Sequence, residues 1–306
     1  MDTLYDCLKA SYKYGFEVEY FWISGVTLVL VGVFGVVGNI VNLTVLFQEK
    51  FRKKVFYNLL IEMACFDILF IIGFCLESGY QSMACNPIYG KGITCLGYLV
   101  LNFGMCGSIY TTIAVSIERF LRMKYPYLKK WGKSWIYLPS VAAITFAYNL
   151  PRCFEYKFST ANGTLTAENR AGFVDSDAYE TWYTTWTQLI VESIIPTFLL
   201  FFLNGSMVKM MYFNQNQLLN TSKNIRKCST KILFVVYLVF LICHIPTVIR
   251  VLLDHFGPTD LRENWYIVAP IEKLVLVINS SVNFIIYCLV GTKFRDQFLK
   301  VFRCKI

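Results

Sequence analysis

Long stretches of this sequence carry no charge at all, and nothing else constrains the fold as tightly. Ile23 to Phe47, Ile93 to Ile117, Trp135 to Leu150, Ile232 to Ile249 and Leu274 to Thr292 contain no Asp, Glu, Lys or Arg. Two more apolar blocks are nearly as clean: Val55 to Phe74 holds Glu62 and Asp67, and Trp182 to Phe213 holds Glu192 and Lys209. A bilayer core about 30 Å thick needs roughly 20 such residues per helix. The blocks therefore predict seven transmembrane helices in an all-α membrane bundle. Composition agrees, with 56% hydrophobic and 16% charged residues, against about 45–50% and about 25% in soluble domains.

Orientation follows from the basic loops. With the N-terminus outside, one side holds Lys50, Arg52, Lys53 and Lys54, then Arg119 to Lys133, then Lys209 to Lys231, and finally the tail. That is most of the 29 basic residues. Asp175, Asp177, Glu180, Asp254, Asp260 and Glu263 fall on the other side. The expected layout is an extracellular N-terminus over 1–21, a receptor-sized bundle over 22–291 and a cytoplasmic amphipathic helix and tail over 292–306, in the plasma membrane. The net charge of +9 is read as anchors facing anionic lipid, not as a nucleic-acid surface. No cleavable leader is evident before Ile23, so the first helix is expected to act as its own signal anchor. After the last span, Phe294, Phe298 and Phe302 recur every four residues among Lys and Arg, the pattern of a short eighth helix lying along the membrane. Cys304 follows as a candidate palmitoylation site, with a free thiol as the alternative. Asn162 is the one Asn-x-Ser/Thr site that this topology leaves outside, and it is the glycosylation candidate.

An ionisable group within a span costs several kcal/mol (roughly 2.5–3.5 on insertion scales), so it faces the bundle interior and usually serves a function. Asp67 is the clearest case. Ser108 on helix three and Asn279, Ser280 and Asn283 on helix seven could converge on it. One carboxylate with neutral oxygens suits a small cation such as sodium, and a network that only packs the helices is the alternative.

Several motifs, in order along the chain, resemble the rhodopsin-like G protein-coupled receptors. They are Gly38-Asn39, Ala64 to Asp67, Glu118-Arg119-Phe120, Pro196, Phe240 to Pro246, and Asn283 to Tyr287. Asn149 to Glu155, Asn279 to Cys288, Phe284 in place of the usual proline, and His244 in place of the usual tryptophan are similar to invertebrate FMRFamide-type neuropeptide receptors. The resemblance implies a receptor for an amidated Arg-Phe peptide, coupled to a heterotrimeric G protein. It implies an activation switch formed by Glu118, Arg119, Pro246, Asn283 and Tyr287. At rest Arg119 would make a bidentate pair with Glu118; on activation it would turn toward Tyr287 as helix six bends at Pro246, which lacks an N–H. Relatives hold this arginine with an acid on helix six, where this chain has Arg226, so elevated ligand-independent signalling is expected. Val277 and Leu101 stand where opsins need a lysine and amine receptors an aspartate.

The candidate ligand residues are Glu77, Glu192, His244 and Glu272. A peptide guanidinium could meet the carboxylates, or each could sit in an internal ion pair, for example Glu272 with Lys273 or Arg250. Glu192 has no basic partner in its own helix, which favours the ligand. His244 either senses ligand or is a core histidine. The usual bridge from helix three to the second outer loop lacks a partner between Phe154 and Thr185, leaving Cys7, Cys85, Cys95 and Cys153 as disulfide candidates whose pairing stays open. A small-molecule chemoreceptor remains an alternative. A transporter or channel using Glu62, Asp67 and Glu192 has no inverted repeat or broken helix pair behind it. No nucleophile with a base stands at catalytic spacing, so an enzyme is not expected.

Overall fold

The computed structural model describes residues 21–79, 87–125, 134–161, 164–169, 179–213, 220–256 and 265–303. Lipid offers no partner for backbone N–H and C=O groups, so each apolar block closes its own hydrogen bonds as a helix. A π-helical turn, Phe21–Thr27, leads into α1 (Leu28–Leu46). A one-turn helix, Glu49–Arg52, precedes α2 (Val55–Phe74), which ends in a π-helical turn at Cys75–Gly79. Then come α3 (Pro87–Lys124) and α4 (Ser134–Asn149). The π-helical stretch Tyr179–Ile194 runs into α5 (Ile195–Phe213), followed by α6 (Asn220–Phe256). The seventh span is divided into α7 (Trp265–Ser281) and α8 (Asn283–Val290), and α9 (Thr292–Arg303) follows.

Among the described residues, five helices are long and apolar enough to cross a membrane, and the bent pair of α7 and α8 makes a sixth. The fourth crossing, α4, is the shortest at 16 residues, about 24 Å at 1.5 Å per residue. In contrast, α3 and α6 run well past the uncharged blocks at both ends.

The bundle is apolar outside and polar within. Phe198, Phe201, Phe202, Ile242 and Leu289 are all exposed, Leu289 by 73%, while Asp67, Asn42 and Thr111 are wholly buried. A soluble protein would not leave that surface uncovered. The tightest helix pair is α2 with α3. A Cβ on Gly73 would lie 2.3 Å from the Leu101 nitrogen, and one on Gly104 would lie 2.3 Å from the Phe70 nitrogen. Two glycines thus let the backbones touch, the small-residue packing used where no hydrophobic effect drives association.

The seventh span bends by 41° at Val282 although Phe284 stands where a proline would explain it. Two side chains supply the cause. Asn39 Nδ2 donates to the Ser280 carbonyl at 3.0 Å, and Ser281 Oγ donates to the Val277 carbonyl at 2.7 Å. Both carbonyls thus carry a side-chain hydrogen bond beside the bend, which competes with the helix ladder there.

Beyond α4 and the 3₁₀ turn Pro151–Phe154, a hairpin appears that the helix-based reading did not foresee. Strands β1 (Tyr156–Ala161) and β2 (Thr164–Asn169) pair antiparallel, with Ala161 opposite Thr164. The signal was present: Asn162-Gly163 is the favoured dipeptide of a two-residue hairpin connection. As a glycosylation candidate, Asn162 lies outside the described residues, as do Cys7, Cys85 and Cys304.

Candidate functional site

Mid-membrane, Asp67 is wholly buried on α2. Ser108 Oγ on α3 donates to its Oδ1 at 2.6 Å, and Asn283 Nδ2 at the start of α8 donates to its Oδ2 at 2.7 Å. The Ser280 side chain also hydrogen-bonds the carboxylate. Ser108 and Asn283 therefore meet Asp67 as expected. Ser280 also meets it as expected, whereas Asn279, expected beside it, makes no hydrogen bond to Asp67 among the described residues, because adjacent residues lie about 100° apart around the helix. Asn39 joins α1 to the same network through the Ser280 carbonyl. A buried carboxylate with two hydroxyls and an amide, at the junction of three helices, has the hard oxygen donors that suit a small cation.

Toward one end of the bundle each candidate acid has a base. Lys273 Nζ lies 3.1 Å from Glu77, and Arg250 Nε 2.7 Å from Glu272. Glu192 is 3.3 Å from Arg152 Nη2 and accepts from the Cys106 thiol at 3.3 Å. An uncompensated Glu192 is thereby corrected: its partner comes from the turn after α4, a non-local contact that in-helix spacing could not reveal. Arg152 and Glu192 are only 3% and 2% exposed. The rings of Tyr98, Tyr148 and Tyr183 stand 5.7 to 5.9 Å from the guanidinium carbon, within cation–π range. Just beyond, Tyr179 donates to the buried Glu155, whose burial raises its carboxyl above the ordinary range. His244 is buried against Phe240, with ring centroids 4.1 Å apart.

Near the C-terminal end of α3, Glu118 is 1% exposed and serves two arginines. Arg119 Nε lies 3.5 Å from Oε2, and Arg122 donates to Oε1. The expected bidentate pair is thus replaced by a shared carboxylate, since Arg122 sits one helical turn on, at the i,i+4 spacing that faces Glu118. Arg119 stacks instead on Phe56 of α2, its guanidinium carbon 3.7 Å from the ring centroid. Tyr287 is buried to 1%, and its hydroxyl makes no hydrogen bond among the described residues. Pro246 lies inside α6. The surroundings are strongly basic: partial burial, then Lys293, Arg119, Lys50 and Arg122, hold the Lys54 amine below the usual lysine range.

Residues 38–287 match the family described as "7 transmembrane receptor (rhodopsin family)". The chain belongs to that family. It is 30% identical to the FMRFamide receptor of Drosophila melanogaster over 92% of this chain and 54% of that protein, so it spans about half of that relative's length. It is also 24% identical to galanin receptor 2a of Danio rerio, over 88% of this chain and 75% of that receptor. With the thyrotropin-releasing hormone receptor of Mus musculus the figures are 22%, 94% and 81%.

Within this rhodopsin-family bundle the cysteines depart from expectation. Cys153 is an exposed free thiol that donates to the Asn149 carbonyl at 3.8 Å, so the Cys95–Cys153 bridge is not formed. Cys95 is buried on α3, and its pairing with Cys7 or Cys85 involves positions outside the described residues. Sequence reasoning missed Phe56 and Arg122 at the switch and Arg152 in the tyrosine cage. Arg122 had a legible signal in its i,i+4 spacing to Glu118; Arg152 had none, because its partner lies on another helix.

Proposed function

We propose that this chain is a G protein-coupled receptor for an amidated peptide of the Arg-Phe type, with its N-terminus outside and its tail and basic loops in the cytosol. The observation that carries this reading is the vertical order of one bundle. Outer ion pairs lie above a buried Asp67 network, which lies above Glu118–Arg119, with Tyr287 buried close to the network through Asn283. A signal entering at the outer acids would pass the Asp67 network before it reaches the Glu118–Arg119 end that meets a heterotrimeric G protein.

An incoming guanidinium must exchange with the base already at each acid. Lys273 and Arg250 are about one quarter exposed, and Glu77 is itself accessible, so that pair can exchange with little desolvation. Glu272 is buried, and its exchange depends on the partly exposed Arg250 swinging out. Glu192 sits in a closed cage, and breaking its pair is costly. Glu77 and Glu272 are therefore the better anchors for a ligand arginine, with His244 beneath them. Cells expressing the chain are expected to activate G protein in response to amidated Arg-Phe peptides, and less to the free-acid forms. A panel in which small volatiles activate and every amidated peptide fails would sink the peptide reading.

The Asp67 cluster is proposed to hold a sodium ion that favours the resting state. Asp67, Ser108, Asn283 and Ser280 would supply oxygens, with Asn279 one position away. Agonist affinity is then expected to fall as sodium replaces choline at constant ionic strength, and Asp67→Asn should abolish that dependence. Equal sodium sensitivity in the wild type and Asp67→Asn would show the network to be packing alone.

A further inference from the structure

We infer that the Phe56 ring of α2 is the resting-state latch of Arg119, taking the place of a carboxylate. The inference rests on the receptor reading for its function, but the latch itself is a matter of geometry. Three observations meet at one guanidinium. Its carbon lies 3.7 Å from the Phe56 ring centroid, well inside the range at which a ring quadrupole attracts a cation. Phe56 is 1% exposed, so little water weakens that attraction. The carboxylate that should hold Arg119 is shared: Arg122 takes Oε1, while Arg119 keeps a 3.5 Å contact to Oε2 and its buried Nε makes no hydrogen bond. Position 226 of α6, where an acid would close the latch, is an arginine.

The ring is well placed for this role. Phe56 lies one residue into α2, wedged against Tyr57 with centroids 5.1 Å apart, and Tyr57 in turn packs on Phe51 at 4.4 Å. An aromatic cluster anchored in the first inner loop thus fixes the face on which Arg119 rests. To turn inward toward Tyr287, the guanidinium must leave the ring. Phe56 is a positioning residue: it selects one rotamer of Arg119 and touches neither ligand nor G protein. A helix-six acid ties α3 to α6, whereas this latch ties α3 to α2. Helix six is then restrained only through what Arg119 blocks, and the strength of the ring contact sets the resting population.

The test uses the full chain purified in detergent, with two readouts: basal guanine-nucleotide exchange on added G protein, and hydrogen exchange over residues 231–246, the middle of α6 up to Pro246. Phe56→Leu retains apolar bulk and removes the ring; Phe56→Trp retains a ring. Phe56→Leu is expected to raise basal exchange about tenfold, the effect of losing one desolvated cation–π contact, and to speed hydrogen exchange over 231–246. Phe56→Trp should return both to the wild-type level, with thermal midpoints matched across the set. If Phe56→Leu behaves as wild type, or if leucine and tryptophan shift both readouts equally, the ring is packing and the latch is wrong. If hydrogen exchange separates leucine from tryptophan while nucleotide exchange stays flat in every variant, the latch stands and the G-protein reading fails.

Discussion

Replacing Arg152 with Met is expected to destabilise the bundle by about 3–5 kcal/mol, the range for breaking a buried ion pair on one side. Arg152 and Glu192 are both nearly inaccessible, and the guanidinium is ringed by Tyr98, Tyr148 and Tyr183. Methionine fills much of the volume but leaves the Glu192 carboxylate facing a cage of aromatic walls, with the Cys106 thiol still donating to it once Arg152 is gone. The midpoint of thermal unfolding in detergent should fall by roughly 10 °C, taking about 2–4 °C per kcal/mol for a bundle of this size. The pair itself need not be stabilising, because its desolvation offsets most of the attraction. Arg152→Met with Glu192→Leu should therefore recover most of the loss. A double variant as unstable as Arg152→Met, or a single variant with an unchanged midpoint, would mean that water reaches the cage and compensates Glu192.

That pair also shows where sequence reading stops. The helices were legible because a bilayer imposes one long apolar run per crossing, and the run can be counted residue by residue. Asp67 was legible for the converse reason, since a carboxylate in such a run must find partners, and Ser108 and Asn283 were the right ones. What the sequence could not show was which side chains the loops deliver. Glu192 has no basic neighbour on its own helix, and its partner arrives from a 3₁₀ turn 40 residues earlier. How a carboxylate is divided was open to reading but missed: Glu118 beside Arg119 reads as a pair, yet the i,i+4 spacing gives one oxygen to Arg122. The bend at Val282 was partly hidden likewise, because one of the two side chains behind it, Asn39, reaches across from α1.

The same substitution at two glycines should have opposite signs. Gly104→Ala places a Cβ 2.3 Å from the Phe70 nitrogen, 2.7 Å from its Cα and 2.9 Å from the Phe66 carbonyl. All three are backbone atoms of α2, so no rotamer change can relieve the contact and the helices must separate. Overpacking of this kind costs about 1–3 kcal/mol. Gly205→Ala on α5 meets nothing within 4 Å and gains the helix preference of alanine, about 0.5–1 kcal/mol. Thermal midpoints of the two variants against wild type would test this directly, with Gly104→Ala below and Gly205→Ala above. Ser108 lies one turn beyond Gly104 and holds Asp67 across this same α2–α3 seam. Separation at Gly104 should therefore lengthen that 2.6 Å bond and weaken any sodium dependence in proportion, while Gly205→Ala leaves it unchanged. If Gly104→Ala is as stable as wild type and keeps full sodium sensitivity, the two helices do not need the close approach, and the Asp67 site is held by α8 rather than by α3.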